Sequence, residues 1–265
     1  MTRRGVAVVR NVAVFYALHS VLYTLLLAAP VENVLTETEH PWGTFGNGSY
    51  TVTQTKITTY SADAPVRSTQ TIKTVLVSVE DDGVTLQVNE SLQLGEKTIN
   101  KEPHTIRSDF WQEPILQDVK ISTGKPLKLV IGKKTVPCET RIYEQKVQGG
   151  IKTTTVWWNR YFFPYILRTE RVLRTTTDVS KEKSAGEIVR QSVTVVVDVS
   201  GSSSRRKYQL RTTEQSGKIT KRVDTLCSNT IPGGIGYSIT TETDETGKIV
   251  RKSQTNIQEY KVSTR

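Results

Sequence analysis

Strand-length segments recur along most of this chain, and turn sequences separate them at short, regular intervals. The run Val193–Val199 (VTVVVDV) is the strongest of them, and Asp82-Gly83 marks a tight hairpin turn. β-Branched residues favour strands, and Asp-Gly supplies the left-handed conformations that a two-residue turn needs. Beyond the N-terminus no segment keeps a helical apolar period over eleven residues. The sequence therefore predicts an antiparallel all-β protein.

Threonine dominates the polar positions of these segments. In Thr51–Thr59 (TVTQTKITT) it occupies alternate positions at the start of the run, which places it on one face of a strand. Hydrophobic residues make up 36% of the chain, so the sheet is expected to bury one face and to expose the other. We therefore interpret the threonine runs as the solvent-facing side of the sheet.

The N-terminus differs from the rest of the chain. A basic flank formed by Arg3, Arg4 and Arg10 precedes the apolar run Val12–Ala29. This order is typical of an export signal or of a membrane anchor whose basic end stays inside. The protein is therefore expected to be exported, to the periplasm or the cell surface.

Two fates of this segment stay open. Leu27 and Pro30 fit a signal-peptidase site after Ala29 poorly, which argues against removal. A helix over residues 12–29 would be about 27 Å long, slightly less than a bilayer core, which argues against retention. Residues 1–30 are thus a signal peptide or an inner-membrane anchor, and residues 31–265 form the all-β domain.

Two octapeptides share a pattern. Gly46–Thr53 (GNGSYTVT) matches Gly233–Thr240 (GGIGYSIT) at five positions when Thr/Ser and Val/Ile are equated. A duplicated β-meander would explain this match, with halves at about residues 40–163 and 164–265. The alternative is that unrelated hairpins begin with similar residues, and the sequence leaves both explanations open.

The chain lacks the local motifs of enzyme active sites. After residue 30 it holds two histidines, His40 and His104, more than sixty residues apart. HExxH, Gly-x-Ser-x-Gly, CxxC and phosphate-binding glycine loops do not occur. General bases are most often histidine, and structural zinc needs clustered histidine and cysteine. We therefore expect no catalytic residues, no metal site and no cofactor, unless folding brings a histidine against a carboxylate or hydroxyl.

The two cysteines, Cys138 and Cys227, allow two interpretations. After export they would lie in an oxidising compartment, where they could form a disulfide. Such a bridge would close a loop of about ninety residues, for which loop-closure entropy gives about 4 kcal/mol. The alternative is two small buried thiols.

Aromatic residues crowd the centre of the chain, in Val156–Tyr165 (VWWNRYFFPY). Adjacent strand residues face opposite ways, so one of Trp157 and Trp158 points to the core and the other outward. The outward ring could stack on a sugar or line an apolar groove, or it could cover the far face of the sheet. Trp157 and Trp158 are therefore the candidate ligand contacts.

The formal net charge is +10, and the basic residues are scattered along the chain rather than gathered in a tail. Export argues against a nucleic-acid partner. A basic exported surface more readily meets anionic lipid head groups or acidic polysaccharide, and the default for such residues is a solvated face.

The run Thr135–Thr177 resembles the middle of the LolA/RseB-like superfamily of bacterial envelope proteins. A strand ending in Trp157-Trp158, a turn to Pro164 and a strand carrying Arg168 form this resemblance, and we take Trp157, Trp158 and Pro164 as fold residues. It implies a strongly curved, unclosed antiparallel half-barrel whose apolar concave face binds acyl chains, lipoproteins or exposed peptides without catalysis. The helical lid segments of such carriers are not evident in this sequence.

Together these features predict a non-catalytic exported envelope protein that binds a lipid, lipoprotein or peptide in the concave face of a β half-barrel. The alternative is a structural or surface-interaction protein that contacts polysaccharide or other envelope proteins through its sheet faces. An uncleaved N-terminal segment would add the membrane itself as a partner.

Overall fold

The computed structural model describes residues 35–61, 64–110, 119–148, 150–175, 187–202 and 204–264. The predicted signal peptide or anchor, residues 1–30, lies outside the described residues. Within those ranges, no helix has the length and apolar character needed to cross a bilayer.

The described residues are almost entirely β-strand, with one short 3₁₀ turn at Glu37–Glu39. The strands are β1 (Tyr50–Thr59), β2 (Val66–Val79), β3 (Gly83–Leu94), β4 (Lys97–Asn100), β5 (His104–Asp109), β6 (Val119–Thr123), β7 (Leu127–Ile131), β8 (Lys134–Val147), β9 (Gly150–Trp158), β10 (Ile166–Thr175), β11 (Ile188–Ser202), β12 (Arg205–Ser216), β13 (Ile219–Ser228), β14 (Ile235–Thr243) and β15 (Ile249–Lys261). The predicted all-β class is confirmed.

The strands form one antiparallel sheet in the order β4-β3-β2-β1-β15-β14-β13-β12-β11-β10-β9-β8-β6. β5 also pairs with β3, and β7 pairs with β8. The first strand therefore lies beside the last, and consecutive hairpins run from there towards both edges. Because the two edges do not pair with each other, the sheet is unclosed, as predicted.

The two predicted meander halves are joined by pairing in two places. β9 pairs with β10 across the expected boundary between residues 163 and 164, and β1 pairs with β15. The duplication itself stays a prediction.

A segment before the first strand, residues 35–45, fills the inside of the curved sheet at one end; we call it the plug segment. In sheet order six strands separate β2 from β10, yet one apolar cluster contains side chains from both. The sheet must therefore curl around the plug segment, which lies on its concave face. The cluster comprises Leu35, Trp42, Phe45, Leu76, Val84, Leu86 and Phe110, with Val79, Tyr165 and Ile166 packed against it.

A second cover on the sheet is the hairpin of β7 and β8. Ile131, Val136 and Cys138 of this hairpin pack with Leu167 of β10 and Val196 of β11 in one buried cluster. The amide of Gly132 at the hairpin tip donates to the carbonyl of Val197 at 3.0 Å. The hairpin therefore reaches over β9 and β10 to β11.

The expectation that the threonine runs face solvent is wrong for part of the run Thr51–Thr59. Thr51 is buried, because it pairs with Thr74 on the same face as Leu76, which packs in the cluster with the plug segment. Other threonine hydroxyls pair across strands, Thr55 with Thr255 at 2.8 Å and Thr194 with Thr212 at 2.9 Å. Such pairs satisfy both hydroxyl groups and so allow polar side chains on a covered face.

Candidate functional site

A cavity of about 480 Å³ lies between the plug segment and strands β10 to β13. Its wall on one side is the plug segment, including His40 and Thr44, and its floor includes Leu167, Thr194 and Leu210. This volume is within the range of small-molecule sites in proteins. We call it the plug cavity.

The turn between β9 and β10 shapes one end of the plug cavity. The Phe163–Pro164 peptide is cis, and Tyr165 has φ of 74°, a left-handed conformation that non-glycine residues rarely adopt. The amide of Tyr165 donates to the carbonyl of Phe162 at 2.8 Å, and the amide of Asn159 donates to the carbonyl of Tyr165 at 2.8 Å. These bonds fix the turn and point its aromatic residues into the cavity.

Three aromatic rings meet at this end of the plug cavity. The Phe163 ring makes edge contacts with Tyr165 and Tyr208, at centroid distances of 5.8 and 5.2 Å. Edge-to-face packing of this kind is a favourable arrangement for aromatic pairs. The rings therefore present a rigid apolar surface to anything that enters the cavity.

Arg206 lies over the same aromatic cluster. Its guanidinium carbon is 5.3 Å from the centroid of the Phe163 ring. Its backbone is held by Asn229, whose side-chain oxygen accepts from the Arg206 amide at 2.9 Å. Among the residues that the structure describes, Arg206 has no carboxylate partner. Arg206 therefore places a positive charge beside the aromatic rings, in a cavity that Glu39, Arg168 and Arg171 also line.

A second cavity of about 680 Å³ adjoins the first, and Phe163 and Arg206 line both. It lies between the tip of the β7–β8 hairpin and the end of β11. Lys133 and Lys134 contribute to its wall, and Asp198 is its acidic lining residue. We call it the tip cavity.

Tyr208, one of the three rings, is paired across β12 and β13 with Cys227. Burial raises the pKa of the Cys227 thiol to about 11 and raises the pKa of the Tyr208 phenol above its ordinary value. Both groups are therefore neutral at pH 7, and Cys227 is a poor nucleophile.

His40 lies in the wall of the plug cavity, with its ring 5.7 Å from that of Phe110. Its Nδ1 accepts a hydrogen bond from the Trp42 amide at 3.2 Å, and burial lowers its pKa to about 4. His104 is exposed at the far end of β5, so the fold does not bring the two histidines together. Within the described ranges, no three His, Cys, Asp or Glu side chains are grouped to hold a metal.

The predicted ligand contacts, Trp157 and Trp158, line neither cavity. Trp158 is buried with Tyr143 and Val156. Trp157 is only partly buried and packs under Arg168, whose guanidinium carbon is 4.8 Å from its ring. Pro164, taken from the resemblance as a fold residue, does line the plug cavity.

The two cysteines do not form a bridge in the structure. Both are buried free thiols, Cys138 in the cluster under the β7–β8 hairpin and Cys227 opposite Tyr208. The disulfide remains an alternative for the exported protein that experiment must decide.

Sequence reasoning missed the pairing of Phe163 with Arg206. The sequence does contain both signals, an aromatic crowd at Tyr161–Tyr165 and a basic run at Arg205–Lys207. Their juxtaposition depends on the register between β10, β11 and β12, and no local pattern encodes that register.

No family model matches this chain, and no curated protein matches it. A solved structure of an outer membrane lipoprotein-sorting protein domain from Vibrio parahaemolyticus is similar to 83% of the chain, over 87% of its own length, with 9% identity and a TM-score of 0.35. An exported protein with a YmcC-like fold from Bacteroides fragilis is similar to 82% of the chain, over 97% of its own length, with 11% identity and a TM-score of 0.28.

Proposed function

We propose that this chain is a non-catalytic exported protein of the bacterial envelope that binds a lipid, free or attached to a lipoprotein, in the plug cavity. The observation that carries the proposal is the aromatic cluster of Phe163, Tyr165 and Tyr208 beside a cavity of about 480 Å³ on the concave face. Polar and charged residues, among them Glu39, Arg168 and Arg171, line the same cavity, so its ligand is expected to combine an apolar part with polar groups.

The N-terminus supports an envelope location. A basic flank followed by the apolar run Val12–Ala29 directs a protein to export, with or without later cleavage. A lipid is then the apolar ligand that this compartment offers in quantity. Burial lowers the pKa of His40, in the cavity wall, to about 4, and raises that of Cys227, paired with Tyr208 on the neighbouring strand, to about 11, so neither group is activated for catalysis at pH 7.

The first test is to purify the full chain from an expressing bacterium and to identify co-purified small molecules by native mass spectrometry and organic extraction. A quantitative test uses displacement of the apolar dye N-phenylnaphthylamine by monolauroylglycerol, a neutral single-chain lipid. We expect saturable displacement at one site. Absence of any bound lipid, with retention on cell-wall material instead, would favour a surface-interaction protein.

A substitution that narrows the plug cavity tests whether the lipid binds there. Thr44 is an exposed residue of the plug segment that lines the cavity, so Thr44→Trp should fill space there with little effect on folding. We expect about tenfold weaker binding of monolauroylglycerol, since the ring competes for the same volume. Thr98→Trp, at an exposed position on β4, should leave binding unchanged.

A further inference from the structure

The tip cavity lies next to the plug cavity and shares Phe163 and Arg206 with it. Leu167 and Leu210 line the plug cavity and also pack against the β7–β8 hairpin, so the two cavities lie on the same face of the sheet. Aromatic rings line both cavities, and the lysine pair Lys133 and Lys134 lines the tip cavity but not the plug cavity.

The tip cavity has a fixed frame. Gly132 at the hairpin tip has φ of 57°, and a Cβ placed there would lie 2.8 Å from Oδ1 of Asp198. Its amide donates to the carbonyl of Val197 at 3.0 Å. Glycine thus allows the tip to lie directly on β11, at the irregularity between Val196 and Asp198. The two lysines that follow are held beside β11 in consequence.

The charge of the tip cavity is unbalanced. Lys133, Lys134 and Arg206 face one carboxylate, that of Asp198. In the part of the chain that the structure describes, none of the three cations has an ion-pair partner. The Lys134 ammonium lies 6.0 Å from the centroid of Phe162, as Arg206 lies over Phe163. Cations that are held near aromatic rings and outnumber the nearby carboxylates favour the binding of an anionic ligand.

We propose that the tip cavity binds the anionic, phosphate-bearing head group of the lipid whose acyl chain occupies the plug cavity. This subsite presupposes the lipid ligand proposed above. Arg206, which lines both cavities, lies where head group and chain join, and its planar guanidinium suits a phosphate oxygen pair. Lys133 and Lys134 supply the remaining charge, so the protein selects acidic over neutral lipids.

The test compares two single-chain lipids with the same lauroyl chain, the acidic lysophosphatidylglycerol and the neutral monoacylglycerol. Binding to the full-length protein is measured by displacement of N-phenylnaphthylamine below the micelle concentration. We expect the acidic lipid to bind about tenfold more tightly at low salt, and this preference to shrink as added salt screens the exposed lysines. Glycerol phosphate, which lacks the chain, should compete weakly with the acidic lipid and not at all with the neutral one.

The informative variant is the double substitution Lys133→Ser and Lys134→Ser, at two exposed positions. It should reduce the preference for the acidic lipid to about threefold or less, because Arg206 then acts alone, with neutral-lipid affinity unchanged. The control, Lys97→Ser with Lys261→Ser, removes the same charge from exposed sites on β4 and β15 and should keep the preference.

Three results would overturn the head-group subsite. Equal affinity of the wild-type protein for both lipids, an unchanged preference in the Lys133/Lys134 variant, or tight binding of glycerol phosphate alone would each do so while leaving lipid binding intact. If neither lipid displaces the dye, the proposed function fails and the subsite fails with it.

Discussion

Gly233 lies directly against the indole of Trp42. A Cβ built at Gly233 would stand 2.8 Å from Cζ2 of that ring, and the glycine has φ of 79°. Its amide also donates to the carbonyl of Pro41 at 3.1 Å. The β13–β14 loop therefore holds the plug segment in place through a position where a side chain has neither the space nor the backbone conformation.

We expect Gly233→Ala to loosen the plug segment. The matched control is Gly247→Ala, because Gly247 has a similar φ of 84° but nothing within 4 Å of its Cβ position. Both variants carry the strain of a left-handed alanine, roughly 1–2 kcal/mol. Because the new methyl group must displace Trp42, Gly233→Ala should lower the free energy of unfolding by roughly a further 1–3 kcal/mol. Urea unfolding gives the difference, and equal losses in the two variants would show that Trp42 does not restrain this loop.

The local features of this fold could be predicted from the sequence, and the long-range ones could not. Asp82-Gly83 predicts the β2–β3 hairpin because the signal lies within the turn itself, where the Glu80 amide donates to the Gly83 carbonyl at 2.8 Å. The pairing of Thr55 with Thr255 joins the chain ends, and nothing near either residue specifies the partner.

The threonine runs show why the covered face was misassigned. An alternating threonine pattern shows which residues lie on the same face of a strand. The pattern is identical whether that face is exposed to solvent or covered by another segment, so it does not show which face is buried. Whether Thr51 is exposed depends on its partner strand β2 and on the plug segment that packs with Leu76 on the same face, and β2 and the plug segment are separate parts of the chain. For the same reason the aromatic and basic runs were visible in the sequence, while the contact between Phe163 and Arg206 was not.

Leu76 tests how much the plug segment contributes to stability. Leu76 is fully buried in the cluster beneath the plug segment, whereas its neighbour Val77 is 47% exposed. Leu76→Ala should lower the free energy of unfolding by about 3–5 kcal/mol, through lost burial and the cavity left behind. Val77→Thr keeps a β-branched side chain and should change it by about 0.5 kcal/mol or less. If Leu76→Ala lowers the free energy of unfolding by only about 1 kcal/mol, the plug segment must move to fill the cavity that the substitution leaves.

The thiols should be unreactive in the folded protein. Cys138 and Cys227 are buried, and burial raises the pKa of both above the ordinary value, so little thiolate is present at pH 8. We expect slow alkylation under native conditions and two alkylated sites, counted by mass, in urea without reductant. Cys138→Ser and Cys227→Ser assign each site. No alkylation in urea until a reductant is added would reveal a disulfide in the exported protein.

His40 should make stability depend on pH. Burial lowers its pKa in the folded state from 6.5 to about 4, so between these values the unfolded chain binds a proton that the folded protein does not. The stability that the neutral, buried His40 allows is fully present above about pH 6.5 and is lost as pH falls towards 4. The loss totals about 3 kcal/mol, with a slope approaching 1.4 kcal/mol per pH unit near pH 5.

Substitution at His40 separates this effect from the titration of carboxylates. His40→Asn retains an acceptor for the Trp42 amide, since an asparagine side chain commonly accepts from the amide two residues on. We expect lower stability at pH 7 because contact with Phe110 is lost, but a slope between pH 6.5 and 5 that is flatter by about 1 kcal/mol per unit. His104→Gln, at an exposed position, should keep the wild-type slope. Urea unfolding across this pH range measures each slope, and an unaltered slope in His40→Asn would show that His40 is protonated in the folded protein.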